Sequence, residues 1–121
     1  MNEMNSVLTS IKKMLGITEE YTHFDSDLIM HINSVFMVLQ QLGVGPDEGF
    51  MIEDDTSMWT EYLPVSPLLN MVKSYMYLKV RLLFDPPIGS AAMESMKNII
   101  GEYEFRLNVA VDPGKGEIQN G

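Results

Sequence analysis

The sequence predicts an all-α fold, a small bundle of four main helices with a long loop between the second and the third. Two observations predict it. Apolar residues recur at intervals of three and four in four separate stretches, which is the period of a helix with one buried face. Glycine and proline cluster between those stretches, where a helix must stop.

The first stretch places Val7, Leu8, Ile11, Met14 and Leu15 at helical spacing and predicts a helix over 6–15, closed by Gly16. A connector from Ile17 to His23 follows. Asp25 offers an N-cap, with Phe24 and Ile29 spaced as a hydrophobic staple. From there Leu28, Ile29, Ile32, Val35, Phe36, Leu39 and Leu42 form a stripe wide enough to meet two neighbours, until Gly43 and Gly45 stop the helix.

Residues 43–66 change character. Gly43, Gly45, Pro46, Gly49, the acidic Glu53 to Asp55, Pro64 and Pro67 mark a loop, inside which Phe50, Met51 and Ile52 suit a short extended piece. Ser57 to Leu63 suits one helical turn carrying Trp59. Loops this long in small domains are often functional. Phe50, Met51, Ile52, Trp59 and Tyr62 are therefore candidate residues for a subunit or partner interface, Trp59 and Tyr62 serving either as interface anchors or as loop packing.

Ser66-Pro67 is a strong helix start, a capping hydroxyl followed by a residue that lacks only a donor the first turn does not need. The third main helix then runs to Phe84, with Leu69, Val72, Met76, Val80 and Leu83 on one face, widened by Tyr75, Tyr77, Leu78 and Leu82; Asp85-Pro86-Pro87 ends it. Gly89 and Ser90 open the fourth, with Ala92, Met96, Ile99, Ile100, Tyr103 and Leu107 inward and Glu102–Arg106 paired outside, ending near Asn108. This divides the chain into a helical domain over 1–111 and a flexible, glycine-rich tail over 112–121 that orders on docking or stays passive.

Chemistry is sparse. With no cysteine, disulfides, thiolate metal sites and thiol nucleophiles are excluded. A helical metalloenzyme needs carboxylates at i,i+3 or i,i+4 on one inward face. Asp25 and Asp27, like Glu102 and Glu104, are two apart and diverge, and Asp54 and Asp55 lie in the loop. Asp27 and His31 do share a face, but two ligands without a third describe a surface pair or a half-buried histidine better than a metal site, and His23 falls in a polar connector. There is no Gly-x-Ser-x-Gly elbow, and Gly43-Val44-Gly45-Pro46 follows a helix, so it is a stop signal and not a phosphate loop. The reading is of a protein without catalytic residues, metal or cofactor.

The formal net charge of −9, with Lys12-Lys13 as the only adjacent basic pair, opposes binding to nucleic acid through a basic face. The start of the chain, MNEMNSVLTS, does not read as a secretion signal. The most apolar stretch, Leu68 to Phe84, is interrupted by Lys73, Lys79 and Arg81, short of the about 20 apolar residues a membrane span needs. The chain has eleven methionines, and many of them, Met14, Met30, Met37, Met71, Met76, Met93 and Met96, fall on apolar faces, where they fill a core or supply an adaptable contact surface.

Four stretches carry a resemblance: SVLTSIKKMLGI, YTHFDSDLIMHINSVFMVLQQLGVGP, KSYMYLKVRLLFDPP and MESMKNIIGEYEFRLNVAVD, together covering Ser6 to Asp112. The chain resembles the head-tail connector (head-completion adaptor) family of tailed phages and prophages of Gram-positive bacteria. The resemblance implies a helical subunit of the virion, assembled in the bacterial host cytoplasm, whose copies form a ring beneath the portal protein and extend the DNA channel toward the tail. It implies contacts with further copies of the chain, with the portal and with a tail-side connector or tail-completion protein. DNA would pass without specific binding, and the acidic run Glu53, Asp54 and Asp55 is the candidate lining of the lumen. The alternative from another class is an acidic DNA-mimic or inhibitory binding protein, which would need its carboxylates spaced along one exposed surface.

Overall fold

A computed structural model of the chain describes residues 5–111, and the tail predicted over 112–121 lies outside the described residues. The element order is α1 (Val7–Met14), α2 (Asp25–Gln41), α3 (Trp59–Tyr62), α4 (Pro67–Phe84) and α5 (Ser90–Val111). The four main helices and the short turn within the loop are those the sequence predicts, except that α5 continues through Val109 to Val111 instead of ending near Asn108; Phe50–Ile52 forms no strand.

Local chemistry explains the ends. Ser6 accepts from the Thr9 amide to start α1, and Ser66 accepts from the Leu69 amide, with Pro67 behind it, to start α4. Both α1 and α2 close with a Schellman pair, Ile17 N to Lys12 O at 2.8 Å with Gly16 N to Lys13 O at 3.1 Å, and Val44 N to Leu39 O at 2.9 Å with Gly43 N to Gln40 O at 3.0 Å. The start of α2 differs from expectation. Asp25 is the first helical residue and not its cap, Phe24 holds the cap position without a side-chain bond, and the Asp25 carboxylate turns instead to the Lys12 ammonium at 2.9 Å. A buried cation outcompetes a helix amide for that carboxylate.

Packing then assembles the elements. Helix α4 packs against both α2 and α5, and α1 packs against α2 and α4. The core is one cluster running from Val7, Leu8 and Ile11 through Leu28, Ile32, Phe36 and Leu39 to Val72, Tyr75, Met76 and Val80. Tyr75 spans from α4 to α5, its hydroxyl donating to Glu104 Oε2 at 2.7 Å. Asn108 donates to the Leu42 carbonyl at 3.0 Å and ties the end of α5 to the end of α2.

Residues that the sequence reading placed on apolar faces but that are exposed include Met14 on α1, Leu83 at the end of α4, and Ala92 and Ile99 on α5. For α5 the reason is that it has α4 as its main neighbour. Along its length only Ile100 and Leu107 are buried, and its first half, 90–99, has no buried residue. An inward stripe read from periodicity assumes a partner along the whole helix, and here the partner covers half.

The loop is held by backbone chemistry that periodicity cannot reveal. Gly45 has φ +88°, and a Cβ there would stand 2.5 Å from Cε1 of the buried Tyr62 ring. Gly45→Ala combines left-handed strain with overpacking and is expected to cost about 2–4 kcal/mol, read as a lowered urea midpoint at unchanged m.

Burial raises the phenol pKa of Tyr62 and of Tyr75, the latter also through its bond to Glu104. A folded-state pKa above the unfolded value near 10 contributes stability that is complete below pH 10 and is lost as pH rises beyond it. Stability is therefore expected to fall above pH 10 by up to about 1.4 kcal/mol per pH unit for each buried phenol. Tyr62→Phe and Tyr75→Phe should each flatten that slope in denaturation series run from pH 9 upward.

Candidate docking surface

The loop does not wander. From Asp47 to Ile52 it runs alongside α2 in the opposite direction, secured at three places. Gln40 donates to the Asp47 carbonyl at 2.8 Å. Phe50 sets its ring edge-on against Phe36 at 5.1 Å. Asn33 both donates to the Ile52 carbonyl at 2.9 Å and accepts from the Ile52 amide at 2.8 Å, so a side-chain amide stands in for a strand partner. Beyond Ile52 the chain turns over the start of α1, where Ser6 Oγ donates to the Asp55 carbonyl at 2.8 Å and Val7 N donates to the Ser57 carbonyl at 3.0 Å.

The structure separates the candidate interface residues into two groups. Ile52, Trp59 and Tyr62 belong to the core, at 1%, 0% and 5% exposure, and correct the expectation that they form a surface. Each buried polar end finds a partner, as burial demands: the indole Nε1 donates to Ser10 Oγ at 2.8 Å, and the Tyr62 hydroxyl donates to the Val44 carbonyl at 3.3 Å. The Lys73 ammonium lies 5.9 Å from the centre of the Trp59 ring. Phe50 is half-buried and Met51 is 71% exposed.

Between α2 and the antiparallel loop lies a groove of about 540 Å³ floored by Phe50 and walled by Met30, Met37 and Met51. Met30 and Met37 are 62% and 60% exposed, which no core methionine would be. They sit seven residues apart with Asn33 and Ser34 between them, a spacing that marks a second flank of α2 beside the core stripe. That interval was the available signal in the sequence for a surface there. Met76, by contrast, is fully buried, and Met71 and Met96 pack against the core.

Charge frames this groove. Asp47 and Glu48 lie at one end, and Glu53, Asp54 and Asp55, all exposed, lie at the other. Hydrogen bonds from the Thr56 hydroxyl at 2.6 Å and amide at 2.9 Å hold the Asp54 carboxyl below its ordinary pKa. No Lys, Arg or His is among the residues that line the groove.

Elsewhere, His31 is half-buried beside the Phe84 ring, and the exposed His23 packs edge-on against Phe24, 4.9 Å between centres. Among the described residues, no three His, Cys, Asp or Glu are grouped to hold a metal, and no helix is long and apolar enough to cross a membrane.

The sequence model of the phage connector protein family matches residues 7–114, nearly the whole chain. The chain belongs to that family. The connector is accordingly a structural component of the phage particle, acting between head and tail in contact with portal or tail proteins. No curated protein and no solved structure matches it. The family match spans all four main helices and the groove together.

Proposed function

We propose that the connector assembles head to tail into a ring beneath the portal and extends the DNA channel toward the tail. The observation that supports this reading is the bareness of α5, which leaves Ile99 and Phe105 45% and 67% exposed, with Leu83 and Ile88 at the neighbouring α4–α5 turn 49% and 98% exposed. Apolar surface of that extent on one arm calls for a covering partner. A contact between this arm and a different face of the next copy is heterologous, and such contacts close into rings when the rotation permits.

Glu53, Asp54 and Asp55 are proposed to face the channel, where carboxylates repel the phosphate backbone and keep the wall from retaining DNA. The net charge of −9 opposes association of free subunits at low salt, so the portal gathers them.

The test is native mass measurement of the connector alone and with its portal. A ring-sized species with portal is expected, and Phe105→Glu together with Ile88→Ser should abolish it while leaving the circular dichroism spectrum unchanged. Strictly monomeric behaviour under both conditions would rule the ring out. For the lumen, the combined Glu53→Gln, Asp54→Asn and Asp55→Asn variant should form rings normally yet slow DNA release from particles. Unchanged release removes this run from the channel wall.

A further inference from the structure

We infer that the groove between α2 and the loop is a docking site for an amphipathic helix of another virion protein, apolar at its centre and carrying Lys or Arg at both ends. This inference does not depend on the ring.

The shape of the site comes first. Met30 and Met37 stand two helical turns apart on α2, about 10 Å along the axis. Two exposed side chains at that interval form ridges that receive residues at i, i+3 or i+4, and i+7 of a helix laid between them. The opposite wall, Met51, and the floor, Phe50, are apolar. Methionine is unbranched and polarisable, so these walls adjust to the occupant without needing an exact fit. From Met30 to Gln40 the groove accommodates about three helical turns.

Charge then selects the occupant. Both ends carry carboxylates, Asp47 and Glu48 beside Gln40 and Glu53 beside the Asn33–Ile52 clamp, with no cation in the lining to neutralise them. A second copy of the connector fits poorly: it repeats the net charge of −9, and on its exposed α5 the cations Lys97 and Arg106 are interspersed with Glu94, Glu102 and Glu104. A helix with basic ends matches the site in both apolar length and sign, and opposite charges at the rim speed encounter and fix orientation.

Photo-crosslinking in assembled particles tests this. A photo-reactive benzoylphenylalanine at position 37 of the full chain is expected to crosslink, in finished particles, to a segment of a different virion protein with apolar residues at helical spacing and basic residues flanking them. Crosslinks to a second connector copy, to residues 112–121 of the chain itself, to DNA, or to nothing would each overturn the inference. A synthetic peptide of the captured segment is then titrated against connector variants that keep the wild-type dichroism spectrum. Met37→Glu should weaken binding at least about thirtyfold, as expected for a charge placed in an apolar anchor site, while Met37→Leu stays within about threefold. Asp47→Asn with Glu48→Gln should weaken it several-fold and reduce its salt dependence. Equal binding by the Met37→Glu variant, or an unaltered salt dependence in the neutralised one, contradicts the groove or its charge rule respectively. Ring formation, followed separately by native mass, distinguishes failure of this site from failure of the ring.

Discussion

Trp59→Ala is expected to destabilise the connector by about 4 kcal/mol, the range for deleting a buried indole, and to lower the melting temperature by about 10–20 °C in a chain of this size. Trp59 is fully buried although it sits in a four-residue helix inside the loop. Its ring lies 6.1 Å from Phe36, and its Nε1 donates to Ser10, whose hydroxyl itself donates to the Val7 carbonyl at 3.0 Å. One side chain thus joins α1, α2 and the loop. Trp59→Phe retains most of the apolar volume and removes only the indole N–H that the Ser10 hydroxyl accepts from, so a smaller loss of about 1–2 kcal/mol is expected. A calorimetric scan in which Trp59→Ala melts within about 3 °C of the parent chain would show that the loop is held by other means.

Lys12→Met should cost about 3 kcal/mol. The Lys12 side chain is 3% exposed and its ammonium has two partners, Asp25 Oδ1 at 2.9 Å and the Glu19 carbonyl at 3.0 Å. Asp25 Oδ1 is buried without a hydrogen bond, which leaves the ion pair as its stabilisation. Methionine preserves the volume of the stem but abandons that carboxylate and carbonyl. Removing one member of a fully buried pair costs about 3–5 kcal/mol, and the 26% exposure of Asp25 places this case at the low end. Adding Asp25→Asn to Lys12→Met should recover part of the loss, because the uncompensated charge is gone. Urea denaturation of the two single variants and the double variant reads that coupling, and strictly additive losses would dismiss the pair as a clamp between α1 and α2. Both substitutions lie outside the groove lining, so stability and docking can be perturbed separately.

The candidate docking surface was half legible. Phe50 and Met51 follow from the composition of the loop, and Glu53 to Asp55 are visibly an acidic run. Met30 and Met37 were readable only as members of an apolar face, since a helix with a wide stripe does not reveal which flank its neighbours leave open. Trp59 and Tyr62 show the converse. Large aromatics in a proline-bounded loop suit an exposed anchor or an internal plug equally well, until a buried acceptor decides, and here the acceptors are Ser10 and the Val44 carbonyl.

By itself the sequence determined the helix ends at Ser6, Ser66, Gly16 and Gly43, because caps, prolines and terminal glycines act through backbone bonds spanning a few residues, but not the start of α2 or the end of α5. It also determined that the fold is all-α, since the apolar period is a property of each segment alone. Only tertiary structure decided which stripes were covered, that α5 has one main neighbour, and that the loop lies antiparallel along α2 and closes over Trp59. Those outcomes depend on partners far apart in the chain, Ser10 with Trp59 or Asn33 with Ile52, and burial is settled jointly by all the surfaces that compete for the same core.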